Sequence, residues 1–353
     1  VGQTYGGKTG YDGYLVVRDK GGNLTLNKSV TYAADNQTDQ LLAVTTAASG
    51  RYLAVGSRST ANDGAEGWVA EFNASGAIYK NFLVGGGTGT EMLQDVVKYN
   101  DSTYYAAGVN YSANPGGQGY GSGWLVKIDL TKSPYVAFQK TKIGFYFKGG
   151  FPPKPIYDTY NFMGIALSGG TIFVSGYTTD GSFGSNDGLI ARYDLSGNLQ
   201  TQKTYGSSGS DLFRRVAVYG SYVWAAGTVV NGINGNDGWL VKANQSNLTQ
   251  LYYKAHGSTG YDEFRDIVPY GSGLVAVGRT YDAKSSRYRP WMVRTDSLGN
   301  LSANYTLDTN AQNRFLYGVA YNGYIAMCGE TFTGSNYDAY SLVSTYAGKT
   351  TCP

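Results

Sequence analysis

The chain has 353 residues, 15% of them charged, with a formal net charge of +3 and no basic run. Interspersed charges offer no electrostatic footprint for nucleic acid. The 8 prolines and the absence of a strict glycine period exclude collagen and proline-rich disorder, and no apolar stretch approaches the ~18 residues of a transmembrane helix. Glycine (51) supplies turns, and tyrosine (33, against 13 phenylalanines) suits half-buried strands with an apolar ring and a wet hydroxyl.

The chain repeats about every 51 residues. A glycine closes a short apolar run, and about a dozen residues later a second run follows, usually opened by Asp-Gly. In chain order the pairs are Gly2 with Tyr14-Leu15-Val16-Val17, Gly56 with Trp68-Val69-Ala70, and Gly108 with Trp124-Leu125-Val126-Lys127. Gly176 follows with Leu189-Ile190-Ala191-Arg192, Gly227 with Trp239-Leu240-Val241-Lys242, Gly278 with Trp291-Met292-Val293-Arg294, and Gly329 with Tyr340-Ser341-Leu342-Val343. Short strands recurring at this period predict an all-β chain, a single β-propeller of four-stranded blades over residues 1–353. In the copy from Asp211, Leu212 opens a first strand, Gly227 ends a second, Trp239 opens a third, and an outer strand runs past Leu248.

The strand types do not count alike. Third-type strands number seven, but first-type strands number six, near Leu41, Leu93, Phe162, Leu212, Phe264 and Phe315. Seven blades are favoured, with a split blade at the termini; the alternative is six, closed by the strand around Leu24 and Val30. A vacant strand position predicts self-association through the terminal strands. Val1 falls inside the repeat pattern without a basic and apolar leader, as in a mature product or one cut from a larger precursor.

The motif Asp237-Gly238-Trp239-Leu240-Val241-Lys242, the run from Asp187-Gly188-Leu189 to Ser196-Gly197-Asn198, and Tyr205-Gly206-Ser207 with Asp211 carry a resemblance. The chain resembles secreted bacterial and archaeal β-propeller repeat proteins with D-G-W-L-V-K-x-D-x-x-G-N blades. The resemblance covers nearly the whole chain and implies a scaffold or recognition surface. The pattern is interrupted at 144–161, where a long insertion replaces a short connection.

Candidate sites are few. Asn-x-Ser/Thr sequons at Asn23, Asn27, Asn36, Asn73, Asn100, Asn110, Asn244, Asn247, Asn300 and Asn304 point to an extracellular or cell-surface glycoprotein. In that setting Cys328 and Cys352 are expected to form a disulfide that pins the tail. His256 is the only histidine, which rules out a multi-histidine metal site and leaves a Ser-His-Asp triad resting on that residue alone. No cofactor is expected; calcium in loops such as 234–237 is the functional alternative to plain loop hydrogen bonding by Asp237. The repeated tryptophans read as packing between blades. The irregular loops supply a binding surface: Tyr111, Tyr120, Phe145, Tyr146, Phe147, Phe151 and Tyr157, set among Pro and Gly, suit a contact with glycans or surface proteins. The expected function is a non-enzymatic structural or adhesive protein of the cell exterior, a filament or surface-layer subunit. The alternative is a lectin-like carbohydrate- or protein-binding propeller, and the third reading is a propeller lyase or hydrolase.

Overall fold

The computed structural model describes residues 1–5, 11–18, 23–32, 37–60, 64–86, 89–112, 120–148, 154–180, 183–231, 235–307, 312–321, 324–332, 337–345 and 350–351. Among these residues the elements are 29 strands and one short 3-10 turn at Ala48–Gly50. The first sheet holds β1 (Gly2–Tyr5), β2 (Tyr11–Arg18) and β3 (Leu24–Val30). The next holds β4 (Asp39–Thr46), β5 (Tyr52–Ser59), β6 (Ala65–Phe72) and β7 (Ile78–Val84). It is followed by β8 (Glu91–Lys98), β9 (Thr103–Asn110), β10 (Ser122–Asp129) and β11 (Val136–Lys142). A separate hairpin, β12 (Gly144–Lys148) and β13 (Lys154–Asp158), precedes β14 (Tyr160–Ser168), β15 (Thr171–Thr178), β16 (Asp187–Asp194) and β17 (Leu199–Tyr205). Then come β18 (Leu212–Tyr219), β19 (Tyr222–Val230), β20 (Asn236–Asn244) and β21 (Gln250–His256). The last sheets are β22 (Glu263–Tyr270), β23 (Gly273–Asp282), β24 (Arg287–Thr295) and β25 (Leu301–Thr306), and β26 (Gln312–Tyr321), β27 (Tyr324–Phe332), β28 (Tyr337–Thr345) and β29 (Thr350–Thr351).

These are the repeated blades of a β-propeller, and their number corrects the favoured count. Six four-stranded sheets form among the described residues, not seven. The seventh third-type strand, β2, lies in a three-stranded sheet with no first-type strand. Its Gly2↔Tyr14 pairing has the same register as Gly227↔Trp239, so local sequence makes it look like a full blade. The Gly-and-aromatic signature marks a second and third strand; it does not report whether an inner strand completes the sheet. β3 pairs with β2 and does not close another blade, while the two-residue β29 supplies the outer strand of the last one.

The chain divides into two compact units. One comprises Val1–Val174, Thr178–Asp180 and Asp194–Asn198; the other comprises Ser175–Tyr177, Gly181–Tyr193 and Leu199–Pro353. The first is built on clusters that include Leu53, Val55, Trp124 and Val126, and Leu15, Leu41, Trp68 and Phe72. The second is built on clusters that include Trp224, Phe264, Trp291 and Val293, and Val275, Val277, Ile325 and Met327.

One packing rule explains the repeat. In register, Phe213 faces Gly227 and Gly227 faces Trp239. With no side chain between them, the Phe213 and Trp239 rings stack over the glycine, centroids 4.2 Å apart. Phe264, Gly278 and Trp291 repeat the arrangement at 4.4 Å. The glycine of the Asp-Gly pair serves the next blade: a Cβ on Gly188, which precedes Leu189, would lie 2.7 Å from the Trp239 ring, and one on Gly238, which precedes Trp239, would lie 2.7 Å from that of Trp291. At these junctions the Asp-Gly glycine is a socket that receives the following blade's indole, whereas Gly123 faces the Phe162 ring, which a Cβ there would meet at 2.5 Å.

The second-strand glycine also lets backbones approach. A Cβ on Gly227 would stand 2.0 Å from the Leu212 carbonyl oxygen; Gly56, Gly108 and Gly278 would each meet an inner-strand carbonyl at 1.9 Å. At each of these glycines the inner strand bulges, with register shifts spanning Leu41/Ala43, Leu93/Asp95, Phe213/Arg215 and Phe264/Asp266. The residue skipped by the pairing is re-aimed. We expect Gly227→Ala to cost about 3 kcal/mol, the upper part of the overpacking range, because backbone must move. Gly2→Ala, with nothing within 4 Å, is the control. Denaturant midpoints that shift equally for both variants would refute the rule.

Candidate functional site

The insertion folds as its own element. β12 and β13 pair in the register Phe145↔Tyr157, Tyr146↔Ile156 and Phe147↔Pro155, forming a two-stranded sheet apart from the blades. Phe151 and residues 113–119 lie outside the described residues. The structure brings together three of the aromatics expected on this surface. The Tyr120 and Tyr157 rings are 6.3 Å apart, and Tyr120 is 37% exposed. A Cβ on Gly121 would lie 3.3 Å from the Tyr111 ring, so Tyr111 borders the same point. Beneath the hairpin the Tyr160 amide donates to the Gly121 carbonyl at 2.7 Å, and its hydroxyl donates to Asp180 at 2.5 Å. The Lys142 ammonium sits 5.0 Å from the Tyr160 ring. Burial, then the nearby Asp180 carboxylate, push the Asp158 carboxyl up, against the pull of Lys142.

The other expected positions are dispersed. Asn23, Asn27, Asn73, Asn100, Asn247, Asn300 and Asn304 are exposed, and Asn244 is half-buried. Asn36 lies outside the described residues, and Asn110 is buried in β9. Asn73 organises its own turn, its Oδ1 accepting from the Ser75 and Ala77 amides. Asp237 Oδ2 accepts from the Asn231 side chain at 2.5 Å, and Asp187 Oδ2 accepts from the Phe183 amide at 3.2 Å. Residue 234 of the suggested calcium loop is outside the described residues, and among those described no group of three or more His, Cys, Asp or Glu gathers as metal ligands. Burial, then Lys254, hold the His256 imidazole down at about 4. Among the described residues Cys328, in β27, forms no disulfide; its expected partner Cys352 lies outside the described residues. β28 separates β27 from β29.

A second cluster, in the second unit, escaped the sequence reading. Glu263, at the start of β22, is fully buried, and three arginines converge on it. Arg265 Nε is 2.7 Å and Arg279 Nε 2.9 Å from Oε1; Arg214 Nη2 is 3.2 Å from Oε2. The Tyr261 hydroxyl donates to Oε2 at 3.3 Å. Arg214 and Arg265 are the bulge residues of β18 and β22, skipped by the pairing and so turned out of the sheet. Arg279 comes from β23, its guanidinium 4.2 Å from the Tyr288 ring centroid and 5.1 Å from that of Tyr261. Burial raises the Glu263 carboxyl, but Arg265, Arg214 and Arg279 outweigh it and hold it below the usual range. Nearby, Arg289 pairs with Asp282 at 2.6 Å. The Ser285 hydroxyl, then Arg289, bring Asp282 down to about 2. The available signal was a run of charged residues, Glu263-Phe264-Arg265-Asp266, inside an inner strand where apolar residues are expected.

No protein-family model matches the chain, and no curated protein matches it. Solved structures do. A polysaccharide lyase, an ulvan lyase, superposes with a TM-score of 0.55 at 9% identity, covering 88% of this chain and 79% of its own. The acylaminoacyl peptidase of Pyrococcus horikoshii superposes with a TM-score of 0.52 at 10% identity, covering 99% of this chain and 49% of its own. At such identities the likeness is one of fold, and it agrees with the sheet topology: the chain is a β-propeller with repeated blades.

Proposed function

We propose that the chain is a non-enzymatic structural or adhesive protein of the cell exterior, self-associating into a filament or surface layer. Its blades are of the D-G-W-L-V-K type found in secreted bacterial and archaeal propellers. The observation that carries this reading is the β12–β13 hairpin. Its strands pair with each other and with no blade among the described residues, and their sequences, GFYFK and KPIYD, are rich in aromatics. A blade needs no such element, whereas an aromatic-rich hairpin suits a protein contact. Exposed sequons on turns and outer strands, Asn73 and Asn304 among them, suit an extracellular setting.

The test replaces residues 145–156 with a Gly-Ser linker in the full chain. Assemblies seen by sedimentation and electron microscopy for the native chain are expected to vanish, with the thermal transition within a few degrees of the native one. A native chain that stays monomeric at high concentration, or a variant that assembles equally well, would defeat the proposal.

A further inference from the structure

We propose that the inner edge of the first sheet, formed by β1 and by residues 15–18 of β2, is the docking site for the β12–β13 hairpin of a second copy of this chain. The proposal rests on the assembly reading above and names the surface that receives the hairpin.

The complete blades show what belongs at that edge. Tyr14 of β2 stands where Trp239 stands in β20, since Gly2↔Tyr14 repeats Gly227↔Trp239. In β20 the next residues, Leu240, Val241, Lys242 and Ala243, pair with Ala226, Ala225, Trp224 and Val223 of the second strand. β10 pairs in the same way with β9, and β24 with β23. In β2 the corresponding residues are Leu15, Val16, Val17 and Arg18. They pair with β3 on one side. On the other side no strand meets them among the described residues, because β1 pairs only with Tyr11 to Tyr14.

Exposure follows the pairing. Leu240, Val241 and Ala243 are fully buried, whereas Val16, Val17 and Arg18 are half-buried. Thr228, which follows Gly227, is 1% exposed, while Gln3, which follows Gly2, is exposed. A Cβ on Gly227 would stand 2.0 Å from an inner-strand carbonyl oxygen; one on Gly2 would meet nothing within 4 Å. An open edge lined by half-buried apolar residues is a template on which another chain adds a strand.

The vacancy has the outline of a hairpin. In the blade from Leu212 the corresponding place is filled by the inner strand and the first half of the second, which turn between Tyr219 and Tyr222. Among the described residues β12–β13 is the one two-stranded sheet, and neither of its strands pairs with a blade. Each strand has 5 residues, enough to cover the open stretch of β2. The sequence decides which strand leads. Pro155 removes a backbone N–H from β13, and proline is confined to sheet edges. β12 has no proline and brings Phe145, Tyr146 and Phe147 to a place held in β19 by Val223, Trp224 and Ala225. β12 therefore pairs with β2, antiparallel and in line with β1, and β13 becomes the new edge. Donor and acceptor are different patches of one chain, so the contact is heterologous and repeats from copy to copy.

The experiment fills the vacancy in cis. A copy of residues 212–225 is fused ahead of Val1 in the full chain, so that Gly2 takes the place of Gly227 and the hairpin is untouched. The native chain is expected to assemble and the extended chain to stay monomeric in sedimentation. A synthetic peptide of residues 143–159 is expected to bind the chain whose residues 145–156 are replaced by Gly-Ser. It should bind at least tenfold more weakly when that chain also carries the extension. If the extension does not fold onto the sheet, hydrogen exchange of the native chain decides: amides of residues 15–18 are expected to exchange at least tenfold more slowly in assemblies than in the hairpin-replaced chain. Assembly of a chain whose extension is protected from exchange, peptide binding that ignores such an extension, or equal exchange at residues 15–18 would overturn the proposal. In each of these cases the assembly reading stands if hairpin replacement still abolishes assembly. A native chain that never assembles, with no binding of the peptide, overturns both.

Discussion

Trp239→Ala is expected to lower the free energy of unfolding by about 3–5 kcal/mol, the range for losing a fully buried tryptophan. Trp239 has no exposed surface and stacks on Phe213 at 4.2 Å, with the Tyr253 ring edge-on at 5.7 Å. Truncation empties the space between Phe213 and Gly188 of the preceding blade, where a glycine lacks the side chain to collapse inward. The loss comprises transfer and cavity costs plus about 0.5–1.5 kcal/mol of ring stacking. Trp239→Phe separates these contributions. The Trp239 Nε1 is buried without a hydrogen-bond partner, unlike that of Trp68, which donates to Asn81 at 2.6 Å. Phenylalanine at 239 therefore sacrifices area but no hydrogen bond, and its cost is expected to be well under half that of alanine. Denaturant titration checks both; a Trp239→Ala change below about 1 kcal/mol would contradict the plug-and-socket packing.

Glu263→Gln is expected to cost about 3–5 kcal/mol at neutral pH, as when one partner is removed from a buried charge cluster. The amide leaves Arg214, Arg265 and Arg279 facing one another without the carboxylate that holds them. The effect has a defined pH dependence. The Glu263 carboxyl is held below its ordinary value of 4.5 in the folded chain. A depressed folded-state value means that the unfolded chain takes up the proton first as pH falls. The stabilisation is therefore fully present above the ordinary carboxylate range and is lost as pH falls through the folded value. Wild type and variant should differ most near pH 7 and converge in acid. Melting curves across that range decide the point: a pH-independent difference would show that Glu263 acts through packing and not through charge.

Much of the architecture is determined by the sequence alone, because its signals are local. The spacing of Gly56, Gly108, Gly227 and Gly278 from their tryptophans reflects one cross-strand register, in which the glycine sits between the tryptophan and a Leu or Phe of the inner strand and against a carbonyl. A repeat of that kind is legible without knowing how distant segments meet. The aromatic insertion was likewise visible as a break in the pattern, though its folding into β12 and β13 was not, since hairpin pairing depends on register between residues such as Phe145 and Tyr157.

Tertiary structure alone decided the rest, wherever the outcome depends on which strands become neighbours. The signature at Gly2 and Tyr14 is complete, yet its sheet has three strands and the four-stranded blades number six among the described residues. Arg214 and Arg265 read as ordinary strand residues 51 positions apart. The inner-strand bulges skip both of them, and the packing of adjacent blades sets Arg214 and Arg265 on the same buried carboxylate. A bulge is one residue of slippage in a ladder, set by the approach of two backbones at a glycine, and no local composition records where the displaced side chain will point.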